Sequence, residues 1–323
     1  MIITFFEITD IEKKRFKDRL KGHTLRFFED TIQNVDIVKY IDSDVISVFI
    51  HSKVTEKELK GCLSLKLVTT RSTGTDHIDI DYLNSRKIPL KNVQFYGENT
   101  VAEHTFALML SLSRKIHESY VASLKGDFST DGLTGFDLKS KTIGIIGGGR
   151  IGLHVARMAR SFGMHVRVYD IHQDPFLAEL INFKYVTLDE LFKVSDIISL
   201  HVPYTTQTSH IINKETISKM KDGVVIINTA RGGLINNKDL IDGLDSGKIY
   251  GAGLDVLEGE EFLFEESLFN SPIENAAKII VESKILTEKP NVVITPHNAF
   301  NSIEALMRII DTTIRNIQSL NLI

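Results

Sequence analysis

The stretch TIGIIGGGRIGLHVARMARSFGMHVRVYD, Thr142–Asp170, decides how the rest of the chain is read. An apolar strand runs into a glycine loop, the loop opens a helix, and a second strand ends in Asp170. Gly147, Gly149 and Gly152 stand in G-x-G-x-x-G order. Alone the pattern is weak, but between a strand and a helix it has a physical meaning. Gly147 allows the tight turn, Gly149 lets a pyrophosphate approach the backbone, and Gly152 lets helix and strand pack closely. The helix N-terminus supplies N–H groups and a partial positive charge for phosphates, and Arg150 adds a direct phosphate contact. Asp170, twenty-one residues after Gly149, is placed to hold the ribose hydroxyls of an adenosine and to repel a 2′-phosphate. The segment DIHQD, which begins with Asp170, has no lysine or arginine to accept such a phosphate. The expected cofactor is therefore NAD rather than NADP.

Outward from this stretch, strand-like and helix-like segments alternate, the pattern of parallel sheets covered by helices. The first hundred residues hold IITFFE, TLRFF, VISVFI, LKLVTT and IPLKNV. A second series runs TIGIIG, HVRVYD, DIISLHV, VVIINT, GAGLDV and NVVITP. Between the two sets lies NTVAEHTFALMLSLSRKIHES, from Asn99 onward, apolar on nearly every side. Such a helix is expected to be buried between domains or between subunits. The last segment, SIEALMRIIDTTIRNIQSL, is too short for a domain and is expected to pack back onto the first lobe.

At 323 residues the chain is long enough for two cores. A net charge of −4 without a dense basic block argues against nucleic acid as the main partner. One cysteine, Cys62, leaves no intramolecular disulfide and suits a reducing cytosol. The N-terminal MIITFF is too short for a signal-peptide core, and no apolar run approaches the ~20 residues of a membrane span. A cytoplasmic protein without a membrane partner is expected.

Ligands of a doubly wound sheet bind at the carboxyl ends of its strands. That rule selects Arg231 after VVIINTA, an acid in EGEE after GAGLDV, and His297 after NVVITP. In EGEE, Glu258, Glu260 and Glu261 compete. Arginine grips a carboxylate through a planar fork. Histidine exchanges a proton near neutral pH, and a glutamate stabilises its charged form. Singly each residue has a structural reading, as an ion pair, a solvated acid or a core histidine. Together, beside a dinucleotide, they are equipment for exchanging a hydride with a 2-oxo or 2-hydroxy acid. No histidines or acids have metal-ligand spacing, so no metal is expected.

With these residues in hand, the chain resembles the D-isomer-specific 2-hydroxyacid dehydrogenase family along essentially its whole length. GIIGGGRIG, HVP, NTARGGLIN, AGLDVLEGEE and TPHNAF occur in family order. TRSTGTDHID and YGENTVAEHTFALML resemble its D-lactate branch more than its phosphoglycerate branch. The resemblance implies two doubly wound parallel-sheet α/β domains. A flavodoxin-like substrate domain would span 1–98 and 298–323, with a Rossmann NAD-binding domain, 99–297, inserted in it. The lobes would close on the substrate by hinging near Asn99 and Asn298.

The resemblance also implies roles. Arg231 would bind the substrate carboxylate, Glu260 would support the acid/base residue, and His297 would be that residue. Thr73 and Gly74 would offer backbone N–H groups to the carboxylate, and Tyr96 would line the pocket. Arg150, Ile151, Asp170, Val202, Pro203, Thr208, Thr229, Ala230 and Asp255 would touch NAD, with Asp255 orienting the nicotinamide amide or tuning the local field. His201 is a further candidate NAD contact, while His77 and His104 read as packing or loop-fixing residues. A homodimer through the helix after Asn99 is expected. The implied reaction is reversible reduction of pyruvate to D-lactate. A bulkier 2-hydroxy acid is the alternative, and an NAD-sensing binding protein of the same fold a more distant one. The segment from Phe262 to Pro290 is longer and more charged than the family pattern, and Phe300 replaces a tyrosine of some D-lactate enzymes.

Overall fold

The computed structural model describes residues 1–260 and 273–322. It divides into two compact units, Met1–Gly97 with Asn301–Ile323, and Glu98–Phe300. The first contains a five-stranded parallel sheet of β1 (Ile2–Phe5), β2 (Thr24–Phe27), β3 (Val45–Val48), β4 (Leu67–Thr70) and β5 (Leu90–Lys91). Their spatial order is β2-β1-β3-β4-β5, the flavodoxin-like arrangement. Every residue of β3 and of β4 is buried, as expected where helices cover both faces of a parallel sheet. The terminal helix Ile303–Gln318 completes this unit. It buries Ile310, Ile314 and Ile317 in one apolar cluster with Ile3, Phe5, Phe16 and Leu67. Arg15 and Asp311 bind through a fork at the edge of that contact.

The second unit contains seven parallel strands: β6 (Thr142–Ile146), β7 (His165–Tyr169), β8 (Lys184–Tyr185), β9 (Ile197–Leu200), β10 (Val224–Asn228), β11 (Ile249–Leu254) and β12 (Val292–Ile294). Their order is β12-β11-β10-β9-β6-β7-β8. Chain order reverses on either side of β6, so the loop after β6 opens at the switch point where such sheets bind ligands. The doubly wound α/β class read from the sequence is thus what both units adopt. Six of the seven strands are legible in the sequence. The seventh, β8, has two residues and therefore no period to read.

The apolar helix Glu98–Ser113 packs within its own unit. Its buried residues, among them Ala102, Phe106, Met109 and Leu112, pack on the helix Arg150–Ser161 and on β10, β11 and β12. The apolar surface left open lies one helix further on. There Ile116, Tyr120 and Leu124 form an exposed stripe, followed by Phe128, which is 81% exposed.

Candidate active site

One row of register crosses the second sheet. Tyr169, Ile146, Leu200, Asn228, Leu254 and Ile294 are neighbours in turn across β7, β6, β9, β10, β11 and β12. The residues that follow them are Asp170, Gly147, His201, Thr229, Asp255 and Thr295. Five of these six positions were selected from sequence. Each is at least 23 residues along the chain from the next, and parallel pairing lines them up at one edge.

The glycine loop has the shape that a dinucleotide requires. Gly147 has φ +106°, and a Cβ there would lie 2.5 Å from the His201 carbonyl oxygen. A Cβ at Gly152 would lie 1.9 Å from the carbonyl oxygen of Gly147. A Cβ at Gly149 would meet none of the described residues within 4 Å, so the helix start faces open space. No side chain caps that helix N-terminus. The Asp170 carboxylate accepts from the N–H groups of Gly148 (2.6 Å) and His172 (2.8 Å), which fixes it at the mouth of the loop. Two acceptor positions per oxygen leave room for ribose hydroxyls. These residues fit NAD and disfavour a 2′-phosphate. Arg150 lies 3.6 Å from Glu98, and Ile151 packs on the apolar cluster below the loop.

The loop after β9 is held by its own hydroxyls. Thr208 Oγ1 donates to the Pro203 carbonyl (2.6 Å) and accepts from the Thr205 N–H (2.8 Å). Val202 packs against the core. His201, at the start of this loop, turns its ring inward: Nε2 lies 2.8 Å from Ser199 Oγ, and Nδ1 is buried with no partner among the described residues. Burial lowers its pKa to about 3, so the ring is neutral. What His201 presents to Gly147 is its carbonyl. Because the unfolded ring binds a proton near pH 6.5 and the folded one does not, acid favours unfolding. This contribution is complete above pH 6.5 and is lost as pH falls toward 3. In His201→Gln, urea midpoints should fall less steeply with acid between pH 6.5 and 4.5 than in the wild type. Parallel curves would show that the ring titrates normally in the folded chain.

Arg231 follows a turn built by Asn228. The Asn228 side chain donates to the Arg231 carbonyl (2.9 Å) and accepts from the Ala230 N–H (3.0 Å), ending the buried strand in a tight bend. Thr229, buried beneath it, meets Thr105 at 3.0 Å between hydroxyls. Gly232 comes next because the turn carrying Glu260 passes directly over it. A Cβ on Gly232 would lie 2.0 Å from the carbonyl carbon and oxygen of Leu257 and 2.4 Å from the Glu258 nitrogen. Gly232→Ala should therefore displace that turn, destabilising the protein by roughly 1–3 kcal/mol. An alanine variant with wild-type urea midpoint would show that the turn yields freely.

Glu260 and His297 meet. His297 Nδ1 lies 2.7 Å from Glu260 Oε1, and the other Glu260 oxygen accepts from the Leu257 N–H at 3.3 Å. Of the three competing glutamates, Glu260 makes this pair, Glu258 turns to His210, and Glu261 lies outside the described residues. His297 has φ +50°, a region seldom occupied by a residue with a Cβ. Asp255 holds it there: its carbonyl accepts the His297 N–H (2.8 Å), and its carboxylate accepts the N–H groups of Asn298 (2.8 Å) and Ala299 (2.9 Å). Thr295 Oγ1 donates to the same carboxylate at 2.5 Å, and His104 Nε2 lies 3.4 Å away. Burial works to raise the Asp255 pKa. Hydrogen bonds from His104, Thr295, Ala299 and Asn298 outweigh it and hold the carboxyl below its ordinary range. Asp255 is thus a brace for the His297 backbone, a role that sequence reasoning missed, and His104 supports the brace.

In the other unit, Thr73 and Gly74 follow β4. Thr73 Oγ1 donates to the Val93 carbonyl (2.9 Å), and Asn92 donates to the Thr73 carbonyl (2.7 Å). The Gly74 carbonyl accepts from Ser72 Oγ (2.7 Å), while the N–H groups of Thr73 and Gly74 have no acceptor among the described residues. The fully buried Arg71, unremarked in the sequence, anchors the loop. It binds Glu12 (3.0 Å), Ser47 Oγ (3.2 Å) and the carbonyls of Phe6 (2.7 Å) and Glu7 (2.8 Å). The Tyr96 carbonyl accepts from Arg308 (2.6 Å). Most of the segment from Phe262 to Pro290 that departs from the family pattern forms the helix Ile273–Glu288, and its first eleven residues lie outside the described residues.

Known proteins resemble this chain over most of its length. The family model for the D-isomer specific 2-hydroxyacid dehydrogenase, NAD binding domain, matches residues 106–299. The aromatic 2-oxoacid reductase of Clostridium sporogenes is 41% identical over 318 residues, 96% of this chain and 92% of that one. The D-lactate dehydrogenase of Escherichia coli K12 is 34% identical over 302 residues, 93% of this chain and 90% of that one. The crystal structure of D-lactate dehydrogenase from Aquifex aeolicus, complexed with NAD and lactic acid, superposes with a TM-score of 0.87 at 38% identity. That match covers 98% of this chain and 95% of the other. The chain belongs to the D-isomer-specific 2-hydroxyacid dehydrogenase family. It is an oxidoreductase of that family, and its cofactor is NAD.

Proposed function

We propose that the protein reduces pyruvate to D-lactate with NADH, reversibly. The observation that carries this reading is the His297–Glu260 pair, on the same sheet edge as Arg231 and the glycine loop. When bound, NAD supplies the hydride exchanged with the carbonyl carbon of the acid. Gly147, Gly149, Arg150, Ile151, Gly152, Asp170, Val202, Pro203, Thr208, Thr229 and Ala230 hold it, with His201 contributing backbone rather than ring. His297 holds the proton that moves. Its Nδ1 faces Glu260, which leaves Nε2 to donate to the carbonyl oxygen in reduction and to accept in the reverse direction. Arg231 binds the carboxylate through its fork. Thr73, Gly74 and Tyr96 keep the substrate roles that the family resemblance implies.

The 41% identity to an aromatic 2-oxoacid reductase favours a second reading, a bulkier 2-oxo acid. Apolar fit discriminates such substrates by only ~1–3 kcal/mol, so one or two side chains decide it. Initial rates of NADH oxidation with glyoxylate, pyruvate, 2-oxoisocaproate and phenylpyruvate separate the two. Highest kcat/KM on pyruvate supports the first reading, and highest on phenylpyruvate replaces it with the second. No turnover of any 2-oxo acid would leave the NAD-sensing alternative.

We also infer a cytoplasmic homodimer. Among the described residues no helix is long and apolar enough to cross a membrane. The exposed stripe of Ile116, Tyr120 and Leu124 supports a face for a second copy. Light scattering should give twice the chain mass for the wild type and the chain mass for Leu124→Asp.

A further inference from the structure

The sequence offers Glu258 only as a competitor of Glu260 and draws no attention to His210. The structure joins the two, with His210 Nε2 2.5 Å from Glu258 Oε1. His210 is held from both sides by its backbone. Its N–H donates to the Gly233 carbonyl (2.9 Å), and its own carbonyl accepts from the Asn213 side chain (2.8 Å). Its φ of +48° is left-handed, as at His297, a conformation that a residue with a Cβ seldom adopts. His210 closes the loop that contains Pro203 and Thr208, the candidate cofactor contacts.

Glu258 begins the short turn whose last residue is Glu260. That turn closes on itself through the Glu260 N–H and the Leu257 carbonyl (3.2 Å), and it rests on the bare backbone of Gly232. Two side-chain ties therefore converge on four residues: Glu258 to His210 and Glu260 to His297. A glutamate in a short turn has no sheet to hold it. A carboxylate that must face an imidazole closely needs its backbone fixed.

We propose that His210 and Glu258 form a positioning pair that fastens the Leu257–Glu260 turn to the cofactor loop and so keeps Glu260 against His297. The activity part of this proposal rests on the dehydrogenase reading above. The pair is 37% and 24% exposed, so it adds little to global stability. Its effect is on placement.

The test compares His210→Ala, His210→Gln, Glu258→Ala and the double alanine variant with the wild type. Four quantities are measured: melting midpoint, NADH affinity by fluorescence titration, kcat with the preferred 2-oxo acid, and deuterium exchange over Leu257–Glu260 in the protein without NADH. His210→Ala should lower kcat roughly ten-fold, as small misplacements of catalytic groups do. Its melting midpoint and NADH affinity should remain, and exchange over the turn should quicken. His210→Gln, which still donates to Glu258, should recover kcat to within about two-fold. The double variant should be no worse than either single one. Unchanged kcat in His210→Ala, or a loss that tracks the melting midpoint and that glutamine does not rescue, would overturn the proposal. Were the wild type to turn over no 2-oxo acid, the exchange measurement decides alone. Faster exchange in His210→Ala then sustains the pair although the activity reading has failed, and unchanged exchange ends it.

Discussion

His297→Gln should lose most of its turnover in both directions, by roughly 10²- to 10⁴-fold, the range that a positioned acid/base contributes. Glutamine fills similar space and retains an amide that Glu260 can bind, but it cannot release a proton near neutral pH. The loss should fall on kcat, because the proton moves only as the carbonyl is reduced. NADH affinity should persist. The glycine loop and Asp170 are positioned by β6 and β7, away from the strand end that carries His297. The backbone at position 297 is held by Asp255 through main-chain groups, so the substitution leaves the loop in place. Pre-steady-state and steady-state NADH oxidation check this. A variant within ten-fold of the wild type would remove His297 from the chemistry.

Arg231→Lys should cost about 10²-fold in kcat/KM for the 2-oxo acid. Lysine keeps the charge but offers a point donor where a carboxylate needs two parallel N–H groups. Losing one hydrogen bond to a charged group costs ~1.5–3 kcal/mol. The guanidinium also donates to the Ala230 carbonyl (2.7 Å), but the turn should survive the loss of that bond, because Asn228 holds the Arg231 carbonyl and the Ala230 N–H. Substrate kinetics against a fixed NADH concentration, with circular dichroism to verify the fold, provide the measurement. Wild-type KM and kcat would mean that the carboxylate is bound elsewhere.

Much of the site was legible because it consists of residues that end strands. A short apolar run stopping at a polar residue marks a strand end, and in a parallel sheet all such ends of one sense lie on one edge. That reasoning found Asp170, Arg231 and His297 without coordinates. It could not choose among three nearby glutamates in a turn with no period, and the family resemblance supplied Glu260. His201 illustrates the converse limit. Its place beside the cofactor loop follows from the strand end, yet the direction of its ring depends on Ser199 behind it and on the space between β9 and β6. For the apolar helix Glu98–Ser113, composition tells that a surface is covered, and not by what.

Contiguous residues by themselves determined the two parallel sheets, the glycine loop and the choice of NAD, since turn chemistry, periodicity and a single acid at a strand end are local properties. The tertiary structure alone decided the partnerships. Asp255 braces Asn298 across 43 residues and Glu258 ties to His210 across 48, whereas the Glu260–His297 pair, 37 residues apart, is one that the family resemblance already implies. Each depends on strand register and on the path of a turn over Gly232. Both are set by packing between segments that share no local pattern.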